Sequence, residues 1–247
     1  MKKKSMKNIV ARGRLAEKQK GRPSATVVAR GAEAVLYKET VDGKAVLVKE
    51  RVKKSYRIPQ IDNKLRIERT RTEARLLNEA GRAGVAVPAV LNVDEKGAKI
   101  IMEYVDGVRL KELLNATDEK GHKELAAKIG ETVARLHAHS IIHGDLTTSN
   151  MILSRSKLPN GEKIFLIDFG LGCISGRAED FGTDLAVLHE AVRSTHFEHL
   201  NTLWPIIVKS YGKSFAQNVG SQNGAQKALK ALEDIEKRGR YVRRKEV

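Results

Sequence analysis

The sequence predicts an α+β chain folded as two lobes around a cleft, a small β-rich lobe followed by a helical one. Three observations carry that expectation. From Thr26 the texture is that of antiparallel strands, with the hairpin signal V-D-G-K at 41–44 between two apolar runs. From Val108 onward apolar residues recur at helical spacing, most clearly Leu125, Ile129, Val133 and Leu136. The length, 247 residues, is enough for two lobes with an ample core.

Residues 1–23 lack apolar periodicity and are rich in Lys, Arg, Gly and Gln, so they read as a basic mobile segment or one loosely held helix. The N-terminal lobe, 24–104, opens with T-V-V-A, V-L-Y-K-E-T and A-V-L-V-K as three antiparallel strands, the third ending at Lys49. Leu65–Ala80 is helical in pattern, with Leu65, Ile67, Leu76 and Leu77 as its apolar face, Glu73 within it, and Gly81 and Gly84 at its end. Pro88–Val93 and Lys99–Met102 read as two further strands joined by the turn 94–97. Glu103, Tyr104 and Val105 then precede Asp106-Gly107, where a hinge between lobes falls in chain order.

The C-terminal lobe, 105–237, is expected to be mostly helical: Val108–Leu114, His122–His139, a helix with Thr183 or Asp184 near its cap, Leu200–Tyr211, and Ala225–Arg238. Trp204 and the scattered histidines suit packing or solvent better than metal binding, since no cysteine or carboxylate cage accompanies them. Residues 238–247 form a basic C-terminal tail.

Chemistry concentrates in I-I-H-G-D-L-T-T-S-N-M-I-L at 141–153 and F-L-I-D-F-G at 165–170, short apolar runs that bring two aspartates to a common edge around a turn at Pro159, Asn160 and Gly161. In the protein-kinase arrangement a catalytic-loop Asp faces the nucleophile, an Asn five positions later takes a metal, and the Asp of D-F-G takes Mg²⁺. Asp145, Asn150 and Asp168 stand at those positions. Two carboxylates and an amide are the hard oxygen donors that such a cation requires beside a polyphosphate. Lys49 is placed to contact phosphates, and Glu73 to pair with it. Met102 would limit the depth of a base pocket beneath the hinge backbone of Glu103 and Val105. Gly31, between the first two strands, fits either a phosphate-covering loop or a plain hairpin turn, and Glu33 beside it would repel phosphate. Only sixteen residues separate Asp168 from Asp184 and no A-P-E follows, so the activation segment is truncated and lacks the usual platform for a peptide.

One cysteine, Cys173, excludes an intramolecular disulfide and any multi-cysteine zinc site, and points to a reducing, cytoplasmic setting. No apolar run is long enough to span a membrane, and the lysine-rich start is not followed by a secretory core. The formal charge of +16 sits mainly at the ends: 1–22 hold nine Lys/Arg against Glu17 and 237–247 hold six against Glu246, leaving 31 basic and 28 acidic residues between. Such arms serve either as nucleic-acid contacts or as solvated tails.

Arg30-Gly31-Ala32-Glu33-Ala34, Lys49 in V-L-V-K-E-R, Tyr56-Arg57-Ile58-Pro59, L-R-I-E-R-T-R-T-E-A-R-L-L, H-G-D-L-T-T-S-N and R-S-T-H at 193–196 together resemble the small atypical kinase subunit of the KEOPS tRNA-modification complex, the p53-related protein kinase family. The likeness runs from about Ala29 to the basic C-terminus. It implies a two-lobed protein-kinase-like fold, ATP with Mg²⁺ or Mn²⁺, and a part in forming threonylcarbamoyladenosine in tRNA. It also implies the threonylcarbamoyl-transferase subunit and other KEOPS subunits as partners, ATPase activity, and Ser/Thr phosphorylation. On this resemblance Arg30 to Ala34 cover the nucleotide. Two other classes stay open on the residues alone. A small-molecule phosphotransferase of the aminoglycoside or choline type also uses H-G-D, and a non-catalytic tRNA-binding scaffold would need none of the site residues.

Overall fold

The computed structural model describes residues 25–155, 162–219 and 222–243. The predicted N-terminal segment, the turn at Pro159–Gly161 and the last four residues lie outside these.

Strands β1 (Thr26–Arg30), β2 (Ala34–Val41) and β3 (Lys44–Arg51) are antiparallel neighbours, as their alternation requires. Asp42 and Gly43 both have positive φ, 51° and 75°, the conformation that a two-residue hairpin needs to match strand twist. With β4 (Val90–Asp94) and β5 (Lys99–Glu103) the sheet runs β1-β2-β3-β5-β4. Val46, Val48, Ile100 and Met102 turn their side chains into the core.

Helix α1 (Pro59–Arg82) covers this sheet and starts six residues before its predicted beginning at Leu65, because Pro59 is pre-set for the first helical turn. Its buried face also differs from expectation. Leu65 and Ile67 are only half-buried, whereas Asp62, Arg66, Thr70 and Glu73 are buried beside Ala74, Leu76, Leu77 and Ala80. The cause is the neighbour: the first half of α1 lies against the polar end of β3, where Arg66 donates to Asp62 at 2.8 Å and to the Arg51 carbonyl at 3.4 Å. Only the second half meets apolar residues.

The helix expected at Val108–Leu114 is instead strand β6 (Gly107–Arg109) and one turn, α2 (Leu110–Leu113). Pairing decides this, since β6 joins β8 (Met151–Ser154) and β9 (Ile164–Leu166) in a small sheet. Helix α3 (Glu119–Ala138) buries Leu125, Ile129, Val133 and Leu136, as its periodicity requires. It crosses α5 (Leu200–Val219) closely enough that a Cβ on Gly130 would lie 2.4 Å from the Ile207 carbonyl oxygen. Trp204, half-buried on α5, packs on the core and stacks on His189 at 4.4 Å between centroids. The last helix, α6 (Gln222–Arg243), packs on α4 (Ala178–Thr195) and extends beyond Arg238, where the sequence reads as a tail.

Only residues 171–177 separate D-F-G from α4, and within them β10 (Cys173–Ile174) pairs with β7 (Ile141–Ile142). Helix α4 therefore starts at Ala178, and Asp184 sits nearly two turns inside it, buried, instead of at its cap. Among the described residues no helix is long and apolar enough to cross a membrane.

Candidate active site

Lys49 sits late in β3 and is 7% exposed. Its Nζ donates to Glu73 Oε1 at 2.6 Å and to Asp168 Oδ1 at 2.7 Å, so strand, helix and D-F-G loop meet at one ammonium group. Glu73 is 1% exposed, and its other oxygen accepts from Arg51 Nη2 at 2.6 Å. A buried carboxylate is thus shared by two buried cations, which offsets the desolvation that each alone would suffer. Arg51 is a site residue that motif reading missed. The signal was present as K-x-R, because residues two apart on a strand share a face. Arg51 is buried and pairs with both Glu73 and Glu33.

Asp168 adopts a left-handed φ of 65°. Burial pushes its carboxyl up, but Lys49 beside it and the Gly170 N–H outweigh that, leaving it below the usual carboxylate range. Phe169, fully buried, packs on the His143 ring at 4.6 Å. His143 donates through Nε2 to the Ile167 carbonyl at 3.0 Å, and its Nδ1 accepts from the Asp145 N–H at 3.3 Å. Burial pushes this imidazole down, so it stays neutral and can fill both roles.

Gly144 has φ 80°, and a Cβ there would lie 2.2 Å from the Leu171 carbonyl oxygen, so H-G-D needs its glycine. Asn150 donates from Nδ2 to the Asp145 carbonyl and to Asp145 Oδ2, both at 2.9 Å. This pins the candidate base and leaves Asn150 Oδ1 as its remaining side-chain ligand atom.

A cavity of 420 Å³ opens between the lobes. Arg30, Gly31, Ala32, Glu33 and Ala34 line it with Lys49, Arg51, Asp145 and Asp168. Glu73 and Asn150 reach it through their partners. The predicted hinge does not line it: Met102 is buried in the core, and Glu103 folds back on Ala89, donating from its N–H at 2.9 Å and accepting on Oε2 at 3.2 Å. Val105, half-buried, is also absent from the lining.

Glu33 departs from its expected effect. Both of its oxygens accept from Arg69 Nη1 at 2.5 Å, and Arg51 lies at 3.5 Å. The Arg69 hydrogen bond holds its carboxyl below the usual range, and the charge that would repel phosphate is balanced. Lys54 donates to the Ala32 carbonyl, so the loop is held to the body at two points.

The protein kinase domain family matches residues 26–197. The chain is 42% identical to the KEOPS complex subunit Bud32 of Pyrococcus abyssi over 81% of its own length and 86% of that protein's. Against the EKC/KEOPS complex subunit Tp53rkb of Mus musculus the figures are 39%, 87% and 86%. This chain belongs to the Bud32 family of protein kinases. It is also 40% identical to a probable bifunctional tRNA threonylcarbamoyladenosine biosynthesis protein of Methanothermobacter thermautotrophicus over 87% of its length, but it spans only 36% of that relative. Among solved structures, the Rio2 kinase–ADP/Mg²⁺–phosphoaspartate complex of Chaetomium thermophilum superposes with a TM-score of 0.58 at 14% identity, over 85% of this chain and 70% of that one. That likeness concerns the fold alone.

Proposed function

We propose that this chain is an ATP-hydrolysing, kinase-like subunit of a KEOPS assembly that supports threonylcarbamoyladenosine formation in tRNA. The observation that carries the reading is Lys49 bridging Glu73 and Asp168 at 2.6 and 2.7 Å while Asp145 lines the same cavity. A scaffold needs no such convergence. The names of the Pyrococcus and mouse relatives support the KEOPS assignment over a small-molecule phosphotransferase.

Asp168 and Asn150 Oδ1 would hold Mg²⁺ or Mn²⁺. The donor set fits a hard cation that takes its other ligands from water and phosphate, and among the described residues there is no all-protein cage that would compete. When bound, the ion neutralises charge on the phosphate oxygens. Lys49 holds phosphate and Glu73 orients Lys49. The loop 30–34 lies over the nucleotide; beyond the cavity that this loop lines, the backbone of Glu103 and Val105, with Met102 behind it, is the edge proposed to take the base. Asp145 orients the attacking oxygen and accepts its proton as that oxygen bonds to the γ-phosphorus and the bond to ADP breaks. With only 171–177 after D-F-G, water or a nearby hydroxyl is the acceptor this cleft favours over an extended peptide.

The threonylcarbamoyl-transferase subunit is the proposed direct partner, the basic ends the proposed tRNA contact, and the cytoplasm the proposed setting. The deciding experiment is ATP turnover by the purified chain, alone and with the transferase subunit and tRNA, separating free phosphate from phosphoprotein. Free phosphate should dominate. Asp145→Ala and Asp168→Ala should each lose about a hundredfold or more with circular dichroism unchanged. Wild-type turnover in both variants would overturn the assignment.

A further inference from the structure

The R-S-T-H run at 193–196 ends helix α4, outside the nucleotide cleft, yet its histidine reaches the catalytic loop. His196 is 2% exposed. Its Nδ1 lies 2.6 Å from Asn115 Oδ1, just after α2, and its Nε2 lies 3.0 Å from Thr148 Oγ1. Thr148 is 1% exposed and opens the short 3₁₀ turn Thr148–Asn150, which ends on the residue that pins Asp145.

One tautomer satisfies both contacts. An amide oxygen only accepts, so Nδ1 carries the proton and donates to Asn115; Nε2 is then an acceptor, and the Thr148 hydroxyl donates to it. Burial pushes the ring down to about 4, and His199, His122 and Lys111 push it the same way, so His196 stays neutral and keeps that acceptor. The His122 and His199 rings meet tilted, with centroids 4.2 Å apart, and His122 bonds the Leu114 carbonyl at 2.8 Å, closing the cluster around α2.

We propose that His196 is a positioning residue for phosphoryl transfer: by accepting from Thr148 it fixes the turn that presents Asn150, and so the geometry of Asn150 and Asp145 together. This rests on the nucleotide-site reading above. It differs from a plain core histidine in depending on one atom, Nε2, and not on ring volume.

The two amide replacements divide the ring's two contacts. In His196→Gln the side-chain oxygen can stand where Nε2 accepts; in His196→Asn the amide N–H can stand where Nδ1 donates, and the contact to Thr148 is lost. In the full chain, His196→Asn and Thr148→Val should each lower kcat about tenfold with KM for ATP within about twofold, whereas His196→Gln and Thr148→Ser stay within about threefold of wild type. The His196→Asn/Thr148→Val pair should be no worse than either single change. Mn²⁺ bound with a non-hydrolysable ATP analogue, followed by electron paramagnetic resonance, should need more metal in the first two variants than in the second two. Melting temperatures recorded in parallel identify any loss that is merely unfolding.

A readout free of nucleotide is the ¹⁵N spectrum of the histidine rings, which should show His196 protonated on Nδ1 and its Nε2 resonance shifted in Thr148→Val. Equal behaviour of His196→Gln and His196→Asn, multiplying losses in the double variant, or an Nε2-protonated ring would each overturn the proposal. Failure of the wild-type chain to bind ATP would overturn the site reading itself, a result that none of those three produces.

Discussion

The carboxylate of Asp184 accepts the backbone N–H groups of His143 and Gly144, at 2.8 and 2.9 Å. Without it the buried His143 donor would be an orphan and the part-buried Gly144 donor would lose its acceptor, in the loop that carries Asp145. The same carboxylate takes His137 Nε2 at 3.2 Å, and His137 Nδ1 meets the Tyr211 hydroxyl at 3.1 Å. Burial pushes the Tyr211 hydroxyl up, so it stays protonated and donates to His137, which leaves Nε2–H to donate to Asp184. A line of hydrogen bonds thus runs from α5 through α3 and α4 to the catalytic loop.

Replacing Asp184 by Ala should cost about 2–5 kcal/mol, because at least two buried N–H groups lose their acceptor. Its acid dependence has a definite sign. Burial pushes the Asp184 carboxyl up, but the His137 and His143 contacts outweigh that and hold it below the usual range. The stability it contributes is therefore complete above the unfolded carboxylate value, about 3.9, and is lost as pH falls below that through the folded value. Melting temperature recorded from pH 6 to 2.5 should fall more steeply for wild type than for Asp184→Asn below about pH 4. Parallel curves would remove Asp184 from the account.

Lys49→Ala and Glu73→Ala should differ in kind. Removing the lysine leaves the Arg51–Glu73 pair at 2.6 Å, so the fold persists while turnover collapses. Removing the glutamate takes the buried acceptor from two buried cations, leaving Lys49 the half-exposed Asp168 and Arg51 the half-exposed Glu33 at 3.5 Å, and should cost up to about 3–5 kcal/mol of stability as well as activity. Glu73→Gln keeps an acceptor and should retain more stability than Glu73→Ala. An unchanged melting temperature in Glu73→Ala would show that the shared carboxylate carries no structural weight.

Arg69→Ala should raise KM for ATP several-fold by leaving the Glu33 charge at the mouth of the cavity, and adding Glu33→Gln should recover most of the loss. The Glu33–Arg69 pair is partly exposed, so its effect on stability should stay at or below about 1 kcal/mol. Additive effects on KM in this cycle would mean that the two residues act separately.

Deleting residues 1–22 removes nine Lys/Arg and should leave basal turnover intact. If the arm meets tRNA phosphates, the log–log salt slope of tRNA binding should flatten by at most about six to eight units, and by less if engagement is partial. Unchanged affinity and slope would make the arm a solvated tail. The search would then move to Lys53, Lys54 and Arg57, since Arg51 is buried and paired.

Much of this molecule is legible before any coordinates. The hairpin at Asp42-Gly43 follows from residues that tolerate positive φ, and the core face of α3 follows from its periodicity. H-G-D and Asn150 keep their spacing because one short loop carries both Asp145 and the amide that bonds its carboxylate. Where local pattern misleads, a distant partner is the cause. Val108–Leu114 has a helical look, but β8 offers it a ladder; Leu65 and Ile67 suggest an apolar face, but the charged end of β3 lies opposite.

The sequence by itself determined the kinase-like order of elements, the glycine of H-G-D and the placement of Lys49, Glu73, Asp145, Asn150 and Asp168, because these rest on periodicity, backbone conformation and spacing along one chain. Only the tertiary structure decided that Glu73 serves Arg51 as well as Lys49, that Arg69 balances Glu33, that Asp184 and His196 brace the catalytic loop, and that Met102, Glu103 and Val105 stand apart from the cavity. Each of those contacts joins residues far apart in sequence. Which buried charge finds which partner depends on how the strands, helices and loops that carry them come to face one another, and no window along the chain contains that information.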